Sequence, residues 1–116
     1  MTAETMETVK GTISTLLFEE GESLKTPREF FEAIMEAPTS IVALPQAHMC
    51  EDFFNLRTGL AGEVLQKVST YRRRLIIQGD FKTVESNSLR DFIYESNRTG
   101  HVVFVDTLEM GLKLLK

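Results

Sequence analysis

The chain has 116 residues, with 13 Lys and Arg against 17 Asp and Glu, giving a net charge of −4. Its 42 % hydrophobic and 26 % charged residues, with 7 Gly and 3 Pro, exclude collagen-like, low-complexity and disordered classes and fit one folded domain over residues 1–116. A chain of this size buries roughly two-thirds of its unfolded surface, enough for a core without covalent staples.

The predicted elements begin with Thr8 to Phe18, rich in β-branched and apolar residues around Gly11. This reads as one hairpin or two short strands, ending at Glu19-Glu20-Gly21. Thr26-Pro27-Arg28-Glu29 opens a helix: Thr26 caps it, Pro27 suits the first helical position and Glu29 completes a capping box. Phe30, Phe31, Ile34 and Met35 form its apolar stripe, and Pro38 stops it. Ile41 to Leu44 is an apolar run that fits a strand buried on both faces. A long connection from Gln46 to Arg57 follows.

A strong helix is predicted from Thr58 or Gly59, with Leu60, Ala61, Val64, Leu65, Val68 and Tyr71 on one face. Arg72-Arg73-Arg74 at its end complements the helix dipole. Leu75-Ile76-Ile77 is the next buried strand, closed by Gly79-Asp80. Ser88-Leu89-Arg90-Asp91 reads as a capping signature for a helix that buries Leu89, Phe92, Ile93 and Ser96 and ends at Asn97 to Gly100. Val102 to Val105 is the last core strand. Asp106-Thr107-Leu108-Glu109 caps a final helix with Leu108, Gly111, Leu112 and Leu115 inward. The order β-β-α-β-α-β-α-β-α predicts an α/β fold: a mostly parallel sheet of about five strands, an antiparallel N-terminal edge and four helices.

Function is less legible. The single thiol, Cys50, permits no internal disulfide, and the polar, acidic start at Met1 to Glu7 is unlike a secretory segment. These features point to a reducing, cytoplasmic setting. No apolar run approaches the roughly 20 residues that span a bilayer, so a soluble protein with no membrane partner is expected. The mild acidity argues against nucleic acid as a partner. No cofactor motif is present: Gly59-Leu60-Ala61-Gly62 lacks the spacing and the lysine of a phosphate loop. His48 and Cys50 stand two apart, but no nucleophile elbow and no orienting partner accompany them, and neither His48 nor His101 has metal-ligand spacing to the other. Glu51-Asp52 reads as solvated charge.

In a parallel sheet, ligands and partners use the loops at the carboxyl ends of the strands. Pro45-Gln46-Ala47-His48, Gly79-Asp80-Phe81 and Asp106-Thr107 are expected on that rim. The opening amides of the helix after Gly59, beside Arg57, form a candidate anion site. For Asp106 the plainer role is a helix cap, and for Asp80 a turn residue. Phe53 and Phe54 either present an aromatic ring to a partner or fold the loop over the sheet edge.

Several blocks resemble a known family: Glu51 to Glu63, Gln66-Lys67, Gly79-Asp80-Phe81 and Ser88 to Asn97. They are similar to the bacterial family catalogued as domain of unknown function 4180. The resemblance covers nearly the whole chain and implies a small cytoplasmic protein with no assigned activity. The element order also resembles that of the anti-sigma-factor antagonist (STAS) domains. In those, a Ser-Gly-Leu-Gly type turn opens the second helix, and Thr58-Gly59-Leu60-Ala61-Gly62 stands in the equivalent place. That likeness implies a regulatory role with Thr58 as a phosphorylated residue, although Leu56-Arg57 replaces the family's preceding Asp. Phosphate there would add about −1.5 to −2 charge at a helix N-terminus, but a simple N-cap is the cheaper explanation of Thr58.

The expected function is therefore a non-enzymatic regulatory or protein-interaction module. Its surface would be Phe53, Phe54, Arg57, Thr58 and Gly59 with Asp80, Asp106 and the helix start at Ser88. The alternative is a small-molecule or anion-binding domain at the same edge, and a Cys50/His48 enzyme ranks below both. A homodimer through an edge strand or the paired aromatics is left open by the sequence.

Overall fold

The short apolar runs form the middle of a sheet. In the computed structural model, which describes residues 1–116, the strands are β1 (Thr2–Thr8), β2 (Gly11–Leu17), β3 (Ile41–Pro45), β4 (Arg74–Gln78) and β5 (Val102–Val105). They lie side by side in chain order, β1 antiparallel to β2 and every later pairing parallel. The helices are α1 (Pro27–Glu36), α2 (Glu51–Phe54), α3 (Leu60–Thr70), α4 (Asn87–Thr99) and α5 (Leu108–Leu114). The α/β class and the mixed sheet with its antiparallel N-terminal edge are as the sequence predicts.

Five helices stand where four were expected. The extra one, α2, is a single turn inside the long connection, flanked by 3-10 turns at Gln46–His48 and Leu56–Thr58. Such short turns carry no periodic stripe to read. They are held by the burial of Phe53. The antiparallel edge strand β1 lies earlier than expected, at Thr2–Thr8 rather than within Thr8 to Phe18, because six of its seven residues are exposed and no hydrophobic alternation marks it. Its order comes from the ladder to β2, closed by the two-residue turn at Val9 and Lys10.

Caps fall close to expectation but not always on it. Thr26 and Glu29 form the full capping box of α1. The cap of α4 is Ser86, which accepts from the Leu89 amide at 3.2 Å, and not Ser88. The cap of α5 is Thr107, which accepts from the Met110 amide, and not Asp106. α3 is preceded by Gly59 in the left-handed conformation (φ 77°), which lets the chain turn abruptly out of the Leu56–Thr58 turn.

Each parallel connection steps to the neighbouring strand. Right-handed crossovers then put their helices on one face. That face holds the main core: Val42, Leu44, Leu75, Ile77 and Phe104 against Phe30, Ile34, Phe53, Val64 and Ile93. The other face holds a smaller core, where Ile13, Ile41, Ile76, Val103 and Val105 meet Leu115. Gly111 brings α5 so close that an added Cβ would lie 2.7 Å from Ile76. Leu65, Phe92, Leu108 and Leu112 join their predicted stripes only half-buried, and Tyr71 is exposed. Burying a side chain such as Phe30 or Phe53 contributes about 1.5–3 kcal/mol. No helix is long and apolar enough to cross a membrane.

The two sheet edges differ. On β5, Asn97 from α4 accepts from the Phe104 amide at 2.7 Å and donates to its carbonyl at 3.2 Å. Ser96 donates to the Val102 carbonyl. On β1 no side chain plays this part.

Candidate functional site

The carboxyl ends of β3, β4 and β5 bring three predicted residues onto one rim. Gln46 Oε1 accepts from the Asp80 amide at 3.1 Å. Asp80 Oδ1 accepts from the Lys82 amide at 3.1 Å, and Lys82 Nζ lies 3.6 Å from Asp106 Oδ2. The Gln46 side chain fills the Cβ space of Gly79, so a side chain there would force Gln46 to move. Gln46, Gln78, Asp80, Glu51 and Phe54 surround a cavity of about 480 Å³.

The aromatic pair is split by burial. Phe53 is 1 % exposed, so it belongs to the core and presents nothing to a partner. It stacks on Phe30 (5.2 Å between centroids) and meets Phe54 edge-on at 5.1 Å. Phe54 is half-buried and lies 6.0 Å from Phe81, which meets Phe104 edge-on at 5.5 Å. The rings of Phe54 and Phe81 extend the main core beside Phe104 on β5. The sequence delivers Phe81 to the carboxyl edge after Gly79-Asp80, but nothing in it marks Phe81 as the ring that joins Phe54 to Phe104.

Arg57 and Thr58 are neighbours that face different cavities. Phe54, Asn55, Leu56 and Arg57 meet Ser86 and Ser88 around a cavity of about 530 Å³ at the start of α4. No acidic residue occupies the first turn of α4, whereas Glu29, Glu63 and Glu109 occupy those of α1, α3 and α5. By helix geometry the Asn87 and Ser88 amides have no intrahelical acceptor. Thr58 instead lines a smaller cavity of about 220 Å³ with Lys25, Asp52, Gly59 and Glu63. Its hydroxyl proton is shared between the carbonyls of Asp52 (2.7 Å) and Asn55 (2.9 Å), and its oxygen accepts from the Leu60 amide at 3.2 Å. The opening turn of α3 is therefore surrounded by mixed charge, with Asp52 and Glu63 beside Lys25.

His48 and Cys50 serve the fold. Leu24 forms an isolated parallel bridge with Met49, its amide bonding the His48 carbonyl and its carbonyl accepting from the Cys50 amide. His48 Nδ1 bonds the Glu22 carbonyl at 2.8 Å and its ring stacks on Phe18 at 4.9 Å. Cys50 Sγ points to the Lys25 carbonyl at 3.5 Å. Both side chains thus fasten the residues before α1 to the β3 connection. No group of three or more His, Cys, Asp and Glu side chains converges as a metal site.

The sequence pattern of the family described as domain of unknown function (DUF4180) matches residues 15–115, from within β2 to the end of α5 and beyond. The chain belongs to the DUF4180 family. Neither a curated protein nor a solved structure matches it. In this DUF4180 domain the matched stretch contains both carboxyl-edge cavities and the Leu56–Arg57 turn, while β1 lies outside it.

Proposed function

We propose that this DUF4180 domain is a non-enzymatic interaction module. Its docking surface is the cleft between the Leu56–Arg57 turn and the first turn of α4, and it takes an acidic segment of a protein partner. The observation that carries this reading is the cleft itself. Half-buried Phe54 and Leu56 supply apolar floor, Arg57 supplies an exposed cation outside any ion pair, and α4 opens with free amides and no carboxylate of its own. Apolar contact beside a positive helix end suits a peptide carboxylate next to an aliphatic side chain.

The strand order supports a docking role over catalysis. Doubly wound sheets hold ligands where the strand order reverses. Here the order never reverses, so the sheet offers no such crevice. A photo-crosslinking residue at Ser88, compared with the same residue at Met110, tests the proposal in cells. A partner adduct at Ser88 that disappears in Arg57→Glu is the expected result. Adducts indifferent to Arg57, or formed only at Met110, sink it.

The cavity around Gln46, Gln78 and Asp80 favours a second reading, a small polar ligand at the rim. A ligand at 100 times its Kd adds about 2.7 kcal/mol of stability. A metabolite screen by thermal shift would detect it, and Asp80→Ala would abolish that shift.

A further inference from the structure

We propose that the free edge of β1 is a homodimer interface, on which a second copy of this chain adds its own β1 antiparallel about a two-fold axis at Thr5. The proposal goes beyond the α4 cleft, which lies toward the opposite edge of the sheet.

Three observations support it. First, the molecule treats its two edges differently. Ser96 and Asn97 occupy the outward backbone groups of β5, whereas β1 is a seven-residue strand with nothing over its outer side and no proline within it. An edge with its backbone groups open in this way is a template for another strand. Second, of the seven large apolar side chains that lie exposed, four (Met1, Met6, Val9 and Leu17) belong to the β1–β2 hairpin or its start. The hairpin is also held in place for docking, because Lys10 Nζ at its turn donates to the Leu115 carbonyl at 2.8 Å.

Third, the edge is self-complementary. The hairpin closes at Thr8 opposite Gly11, so Thr2, Glu4, Met6 and Thr8 direct their backbone groups to β2. Ala3, Thr5 and Glu7 direct theirs outward. A two-fold at Thr5 sets these three against Glu7, Thr5 and Ala3 of the second copy, all in hydrogen-bonded positions, for about six main-chain hydrogen bonds. In the same register Glu4 faces Met6 and Thr2 faces Thr8. No carboxylate lies directly across from another, although Glu4 and Glu7 are both on the strand. A shift that places the axis at Glu4 would set the two Glu4 side chains face to face, which is unfavourable.

The test is the solution mass together with two variants. The wild-type chain is expected to sediment at about twice its 13.2 kDa monomer mass at a few hundred micromolar. Thr5→Pro removes an outward amide without touching the β1–β2 ladder, and is expected to sediment as a monomer with an unchanged far-ultraviolet spectrum. In a Cys50→Ser background, Thr5→Cys is expected to form a disulfide-linked dimer within minutes of mild oxidation. The hydrogen-bonded pair would hold the two Cα atoms about 5.5 Å apart, inside disulfide range. Ala3→Cys, whose partner position is Glu7, is expected to crosslink at least tenfold more slowly. A monomeric wild type, a dimer indifferent to Thr5→Pro, or equal crosslinking at positions 3 and 5 would overturn the proposal. If Thr5→Pro fails to fold, the crosslinking comparison decides alone.

Discussion

The side chain of Asn97 pairs with both the amide and the carbonyl of Phe104, at 2.7 and 3.2 Å, and so stands in for one residue of a neighbouring strand. A helix residue thereby satisfies the outer edge of β5 at the strand that carries the phenyl cluster. Removing it strips two hydrogen bonds from a strand whose four residues are all buried. Asn97→Ala is expected to cost about 1–3 kcal/mol in urea unfolding and to speed hydrogen exchange at the Phe104 amide. Asn97→Asp retains the acceptor and should leave that amide better protected than Asn97→Ala does.

Gly79 and Gln46 share one volume on the rim. Gly79→Ala is expected to destabilise by about 1–3 kcal/mol through overpacking. Gln46→Ala should relieve only part of this, because the Gln46 Cβ itself lies 2.6 Å from the added carbon. A double-mutant cycle on thermal melts reads the coupling, and strict additivity would contradict the shared volume.

Phe53 and Phe54, adjacent in sequence, differ in burial. Phe53→Ala empties a core site between Phe30 and Phe104 and is expected to cost about 3–5 kcal/mol. Phe54→Ala should cost less than Phe53→Ala by denaturant midpoint, since Phe54 already meets solvent.

Thr58 ties the end of α2 to the start of α3 through its hydroxyl. Thr58→Ala is expected to lose about 1 kcal/mol, with Thr58→Ser retaining most of it. Thr58→Glu, the charge mimic of a phosphate, loses the same hydroxyl and adds a carboxylate beside Asp52 and Glu63. It should melt below Thr58→Ala, and a higher melting temperature would restore the view of this turn as an anion site.

Glu22 links stability to pH. The Glu19 amide first, and then the Met1 ammonium, hold its carboxyl below the ordinary value of 4.5. A lowered carboxylate pKa means that the unfolded chain takes up the proton first as pH falls. The stabilisation is complete above the ordinary value and is lost as pH falls through the lowered one. Glu22→Gln should therefore lower the urea midpoint at pH 7, with a difference from wild type that shrinks as the pH falls below the ordinary carboxyl value of 4.5.

The sequence by itself determined the α/β class and the places of β3, β4 and β5, because Ile41 to Leu44, Leu75 to Ile77 and Val102 to Val105 can be buried on both faces only inside a sheet. It determined α1 through a capping box, whose partners lie three residues apart. Those signals are local, so they survive in one dimension. Tertiary structure decided what local signals do not encode. It ordered β1, a strand of exposed Thr and Glu held only by its pairing, and folded the long connection into three short turns around Phe53. It buried Phe53 while leaving Phe54 at the surface, and sent Arg57 and Thr58 into different cavities. It also gave one sheet edge to Asn97 and left the other open, because strand neighbours and helix reach are set by packing across the whole chain rather than by any window of residues.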